Sequence, residues 1–227
     1  GGKKHLEKFI INCIYEDKNI NFVVVSNHYV NTDFSELSNV KCISNIFLNC
    51  GSLLSLISQL FISSYYFKIN KCDLVFAPGG IFLSRFKPFF TMSQNMLPFD
   101  SESIINFSLF KRIKFYMIRV LQLYSFNKSN GVIFLTEYAY KIINNKMSNK
   151  VKSIIIPHGI HQQSNNIYRI RNNYFNILYI SDFLPYKNNL NVFLAVKELI
   201  DEGYDINLTL IGQKDKVQFN RMKKVLK

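Results

Sequence analysis

The sequence predicts an α/β protein with parallel sheets, and three features carry that expectation. Short apolar runs alternate with helix-period segments along most of the chain. The runs are apolar at consecutive rather than alternate positions, as in strands covered on both faces. Turn residues stand where such strands should end, Pro-Gly-Gly at 78–80 and Pro-His-Gly at 157–159.

The elements follow in order. Between residues 3 and 16, Leu6, Phe9, Ile10, Cys13 and Ile14 fall on one helical face. "NFVVVSN" (21–27) reads as a buried strand. From Cys42 to Phe67 there is no charged residue, a length that on paper could cross a bilayer. Asn45, Asn49, Gly51, Gln59 and several serines interrupt it, and each amide is costly in hydrocarbon. A strand followed by a helix in "LLSLISQLFISSYYF" is therefore expected, not a span. "DLVFAP" (73–78) and "PFFTMSQ" (88–94) read as strands, with a long helix from about Ile105 to Phe126. "GVIFLT" (131–136) is a strand whose Thr136 should cap a helix Glu137–Lys146. "VKSIIIPHG" (151–159) supplies the next strand and turn.

Residues 161–174 are polar and aperiodic, which predicts a linker. The pattern then restarts with a strand at 175–181, a helix at 189–203, a strand at 206–212 and a basic segment to Lys227. The expected organisation is a first domain over 1–160, the linker, and a second domain over 175–227. The second unit has about half the elements of a doubly wound domain. It is expected to be incomplete.

Composition narrows the function classes. Of 227 residues, 48% are hydrophobic, with 21 Phe and 13 Tyr, enough for a folded core. The formal net charge of +13 favours anionic partners: nucleotides, phosphates, nucleic acid or an acidic membrane surface. No recognition-helix signature, zinc-finger spacing or RNA-binding aromatic motif accompanies the charge, which argues against a nucleic-acid binder. Cys13, Cys42, Cys50 and Cys72 lack metal-ligand spacing and read as reduced core residues of a cytosolic protein. His5, His28, His158 and His161 show no ligand spacing, so no bound metal is expected. The opening "GGKKHLEKF" has no apolar core of a signal peptide.

Chemistry concentrates in the turns. Lys187 lies in "SDFLPYKN", between a buried strand and the next helix. In an open α/β sheet ligands bind outside the carboxyl ends of the strands, where the following helix also presents its anion-favouring N-terminus. A lysine there suits a diphosphate; the plain alternative is a solvated surface lysine. "SQNMLPFD" (93–100) places Gln94 and Asn95 at the equivalent end of another strand, either as hydrogen-bonding groups for a ligand or as an ordinary turn. "FKRIKFYMIRVLQLYSF" (110–126) mixes Lys111, Arg112, Lys114 and Arg119 with apolar residues. It suits an anionic membrane surface, but its many apolar positions favour a domain helix with a basic edge.

"ILYISDFLPYKN", with "VIFLTEYAYKII", "SIIIPHGI" and "QNMLPF", resembles the GT4-like retaining glycosyltransferases of bacterial surface-polysaccharide biosynthesis. The resemblance covers nearly the whole chain and implies the GT-B fold, two Rossmann-like domains with parallel sheets. It implies a sugar transferred, with retention, from a nucleoside diphosphate sugar donor to a glycan or lipid-linked glycan acceptor of the lipopolysaccharide or capsule type. The setting it implies is cytoplasmic, peripheral at the inner face of the membrane, without a cofactor.

By the same resemblance Lys187 contacts the donor diphosphate. Gly1 and Gly2 match a glycine-rich loop near the donor, and Gln94 and Asn95 stand near the reacting centre where relatives carry His and Asp or Asn. His158 and Gly159 fall where the family chain leaves the first domain and are expected to contribute to donor binding, the plain alternative for His158 being a structural turn residue. Two departures stand out. Asp182 replaces the arginine usual five residues before the lysine. The family's paired glutamates, with seven residues between them, are matched nowhere, and their place is expected beyond Lys227. No Asp-x-Asp motif is present to hold a divalent ion. The alternative expectation is an inactive remnant serving as a membrane- or protein-interaction module.

Overall fold

The apolar runs at 22–26, 75–77, 89–93 and 131–134 become strands, and all the pairing among them is parallel. The computed structural model describes residues 2–26, 34, 37, 39–44, 52–148, 150–159, 174–213 and 219–220. The expected linker, except Tyr174, and most of the basic C-terminal segment lie outside these residues.

Helix α1 (Gly2–Glu16) leads to strand β1 (Phe22–Ser26), which pairs in parallel with β2 (Val40–Ser44). Ile10, Val24 and Phe34 are buried together, with Leu6, Ile14 and Cys42 packed against them, so Leu6, Ile10 and Ile14 of the predicted stripe face the core while Phe9 is exposed. Four further strands, β3 (Val75–Ala77), β4 (Phe89–Ser93), β5 (Gly131–Phe134) and β6 (Ser153–Ile155), form a parallel sheet in that order. At the start of β5, Gly131 stands opposite Phe90, whose ring would lie 2.9 Å from any added Cβ. A glycine lets that ring lie across the strand.

Two expected helices are broken, each for a local reason. The stretch 53–67 divides into α2 (Ser52–Phe61) and α3 (Ser63–Ile69). Ser63 donates its hydroxyl to the carbonyl of Ser58, a side-chain bond that competes with the helical ladder. The helix expected from Ile105 is preceded by a separate turn, α4 (Ser101–Ile104), and begins at Leu109 as α5 (Leu109–Lys128). Between them, Asn106 and Phe107 donate to carbonyls three residues back, at Ser103 and Ile104. Thr136 caps α6 (Glu137–Asn144), accepting the amide of Ala139 at 3.1 Å.

The core of the four-stranded sheet is aromatic. Phe126 and Phe134 are fully buried with ring centroids 6.4 Å apart, joined by Phe99, Val132 and Ile143. A second cluster gathers Phe67, Val75, Phe82, Phe86 and Phe89, with Val25 of β1 against it. Each buried Phe contributes about 1.5–3 kcal/mol of transfer free energy.

The remaining strands, β7 (Phe175–Ile180) and β8 (Ile206–Ile211), pair in parallel around helix α7 (Asn189–Asp201). The chain divides into two units, one of Gly1–Phe99 with Tyr116–His158, the other of Asp100–Phe115 with Gly159–Lys227. Segment 100–115 thus groups with the β7–β8 unit, whereas the sequence reading ran the first domain unbroken to 160. Among the described residues no helix is long and apolar enough to cross a membrane.

Candidate functional site

The turn from β7 to α7 is built before its lysine is considered. Beyond Ile180, Ser181 donates its amide to the carbonyl of Ile211 and Phe183 donates to that of Gln213. Asp182 closes the junction, its Oδ1 accepting the Gln213 amide at 3.0 Å. The segments leaving β7 and β8 are thereby tied together, with Phe183 buried beneath. Pro185 then opens a tight 3-10 turn, Pro185–Lys187, in which its fixed φ and missing N–H cost nothing. Asn188 follows in the left-handed region at φ 54°, a conformation Asn tolerates better than most residues.

Within this frame Lys187 is exposed, directly ahead of α7. Its backbone is held at both ends. The amide donates to Leu184 at 3.0 Å, and the carbonyl accepts the Tyr179 hydroxyl. The ammonium lies 5.1 Å from the centroid of the Tyr186 ring. Asn189, 4% exposed, donates Nδ2 to Ser181, while its Oδ1 has no partner.

Sequence reasoning missed the other neighbours of Tyr186. Its ring is 6.2 Å from that of Phe107, and the Lys111 ammonium stands 5.6 Å from the Phe107 centroid. Two lysines thus flank a pair of aromatic rings, close to the N-terminus of a 13-residue helix. Cations and unpaired helical N–H groups together suit an anion. Asp182, at the position of the missing arginine, has one carboxylate oxygen engaged by the backbone of Gln213.

In the other unit, Gln94 and Asn95 follow β4 and are exposed. Asn95 Oδ1 accepts the Leu97 amide at 3.0 Å, so its oxygen serves the turn. Gln94 Nε2 lies 3.4 Å from the sulfur of Met92. His158 and Gly159 are exposed beyond β6, and an added Cβ at Gly159 would meet open space. Gly2 is the first residue of α1, whereas Gly1 lies outside the described residues. Gln94, Asn95 and His158 therefore share the carboxyl edge of one parallel sheet, and Lys187 belongs to the other unit.

That carboxyl edge holds polar groups the sequence reading passed over. Gly80, at φ 78°, leaves no room for a side chain: an added Cβ would sit 2.8 Å from Gln122 Nε2 and 3.2 Å from the Met92 carbonyl. Gln122 Oε1 and Ser93 Oγ are buried without hydrogen-bond partners. A glutamine in the middle of an apolar helix was the available signal.

An open depression of about 410 Å³ lies at the amino ends of β1 and β2, between Asn21, Asn39, Lys41, Asn70 and Lys71. Ligands of parallel α/β sheets bind at the opposite, carboxyl ends, so Lys187 and the β4 edge remain the better candidates. Burial raises the Cys13, Cys42 and Cys72 thiols, with Asp73 adding to the effect at Cys72, so none has the character of a reactive thiolate. Among the described residues no three His, Cys, Asp or Glu side chains gather as a metal site. No protein-family model matches the chain, and no curated protein matches it significantly.

Proposed function

We propose that the chain belongs to a retaining glycosyltransferase of the GT-B class, moving a sugar from a nucleoside diphosphate sugar to a growing cell-surface glycan. The observation that carries this reading is Lys187, exposed at the carboxyl end of β7 and directly ahead of α7. Its ammonium and the first amides of α7 would receive the donor diphosphate, and Lys111 would add a second cation in place of the missing arginine. Catalysis would rest on holding the donor and stabilising the departing diphosphate. Gln94 and Asn95, as neutral amides, would hydrogen-bond a sugar hydroxyl and leave proton removal to the leaving phosphate.

Titration calorimetry of the chain with uridine, guanosine, adenosine and thymidine diphosphates tests the reading. One of them should bind, and Lys187→Ala should weaken it at least about tenfold, given ~1.5–3 kcal/mol for a hydrogen bond to a charged group. Equal affinity of the variant would remove Lys187 from the site. No binding of any diphosphate at millimolar concentration would remove the carboxyl end of β7 as the diphosphate site. A second reading, a folded interaction module without transfer activity, draws on the large apolar residues that α5 exposes.

A further inference from the structure

Helix α2 is docked by its polar face. Ser58 is buried, Gln59 Oε1 accepts the Leu83 amide at 3.4 Å, and in α3 the Ser64 hydroxyl meets that of Ser84 at 2.8 Å. The large apolar side chains lie on the other face: Leu54, Ile57, Leu60 and Phe61 are all exposed, from 39% at Leu60 to 73% at Phe61. At about 100° per residue these four fall within roughly a third of the helix circumference, and Ser55, Ser58 and Gln59 lie outside that arc. Tyr65, four residues beyond Phe61, is exposed as well. A surface helix ordinarily turns its apolar stripe inward. In α2 the order is reversed, within the unit that holds Gly1–Phe99.

The absence of charge decides what covers this face. The chain carries +13, so two copies repel wherever cations meet cations. From Cys42 to Phe67 the sequence has no Asp, Glu, Lys or Arg. Here a second copy can approach without setting like charges together, and it offers the same apolar stripe in return. Leu54, Ile57 and Phe61 have the three- and four-residue spacing of a helix–helix seam. Two α2 helices related by a twofold axis therefore bury the same residues on both sides. A bilayer fits less well: α2, 10 residues and about 15 Å long, is too short to cross it, and its polar face offers headgroup phosphates no cation. A charged partner would find no counter-charge. We propose that the exposed face of α2 is a self-association surface, through which two copies of this chain pair as an isologous dimer. Five large side chains would bury on the order of 500 Å² per copy, at the lower edge of specific interfaces, so the pairing is weak and reversible. The proposal is independent of the transferase reading.

Sedimentation equilibrium of the chain from about 1 μM to about 1 mM, the span of weak affinities, should show a reversible monomer–dimer step. Added salt should tighten it, because screening relieves the repulsion between two +13 copies and no ion pair crosses the seam. Ile57→Ser with Phe61→Ser should weaken the dimer at least about tenfold, through the apolar surface removed. The melting temperature of the dilute monomer should not fall, since both side chains are exposed there. Leu54→Gln, at the far end of the stripe, should weaken the dimer by itself. Tyr138→Ser, at an exposed tyrosine of α6, should leave it unchanged. A chain monomeric throughout, a dimer indifferent to Ile57 and Phe61, a dimer loosened by salt, or open-ended association without a dimer would overturn the proposal. So would a monomer that pellets with uncharged phosphatidylcholine vesicles, which would give the face to lipid.

Discussion

One hydroxyl on α5 satisfies both backbone groups of a residue 43 positions away: Ser125 Oγ accepts the Phe82 amide at 2.8 Å and donates to the Phe82 carbonyl at 3.1 Å. Ser125 is fully buried, and Phe82 packs on Phe67 and Phe89. The segment after Gly80 has no strand partner here, so a serine takes the place of a ladder.

Ser125→Ala should therefore be costly for so small a change. It leaves a buried N–H and a buried C=O unpaired, about 2–4 kcal/mol together. Urea unfolding of the variant should show a midpoint well below wild type. A shift within experimental error would mean that the Phe82 backbone finds other partners.

The junction between β7 and β8 should be sensitive to a single methyl group. A Cβ at Gly212 would overlap the carbonyl of Ser181, and both atoms belong to backbone. Gly212→Ala is expected to cost about 1–3 kcal/mol through the displacement it forces. Asp182→Ala, which only releases the Gln213 amide at an exposed position, should cost less, about 0.5–1.5 kcal/mol. Thermal melts of the two variants should rank in that order.

Asp100 links stability to pH. Its carboxyl is held below the ordinary carboxylate range first by the Ser103 hydroxyl at 2.5 Å and then by the Ser103 amide at 3.0 Å, with burial opposing. A folded-state value below the unfolded one, about 3.9, gives stability that is present above that value. It is lost as pH falls through the folded value. Asp100→Ala should destabilise by about 1 kcal/mol near neutrality, as a lost helix cap does. The gap to wild type should close in acid, measured by unfolding across a pH series.

What the sequence revealed was what local chemistry decides. Thr136 capped the helix it was expected to cap, because a hydroxyl three residues before an amide needs no distant partner. Leu6, Ile10 and Ile14 of α1 pack inward as their period implied, whereas Phe9 stays exposed. The interruptions at Ile62 and at 105–108 were not legible, because apolar residues continue through both while serine and asparagine side chains and tight turns redirect the backbone. At the candidate site, the position of Lys187 between strand and helix could be read directly. The approach of Phe107 and Lys111 to Tyr186 could not, since those residues are more than seventy positions apart and no periodicity relates them. The exposed face of α5 stood midway. Its residues were visible as a basic apolar helix, but which of two apolar faces would be buried depended on where Gln122 and Ser125 point.

The turn around Lys187 keeps its shape through Tyr179, Ser181, Asp182 and Pro185, and through the amide and carbonyl of residue 187 itself. The lysine side chain is not among the groups that hold it. Scaffold and chemistry are therefore separable at this position. Descendants of this sequence can exchange the cation for another side chain without first repairing the fold, so the turn is a place where ligand preference can drift one substitution at a time.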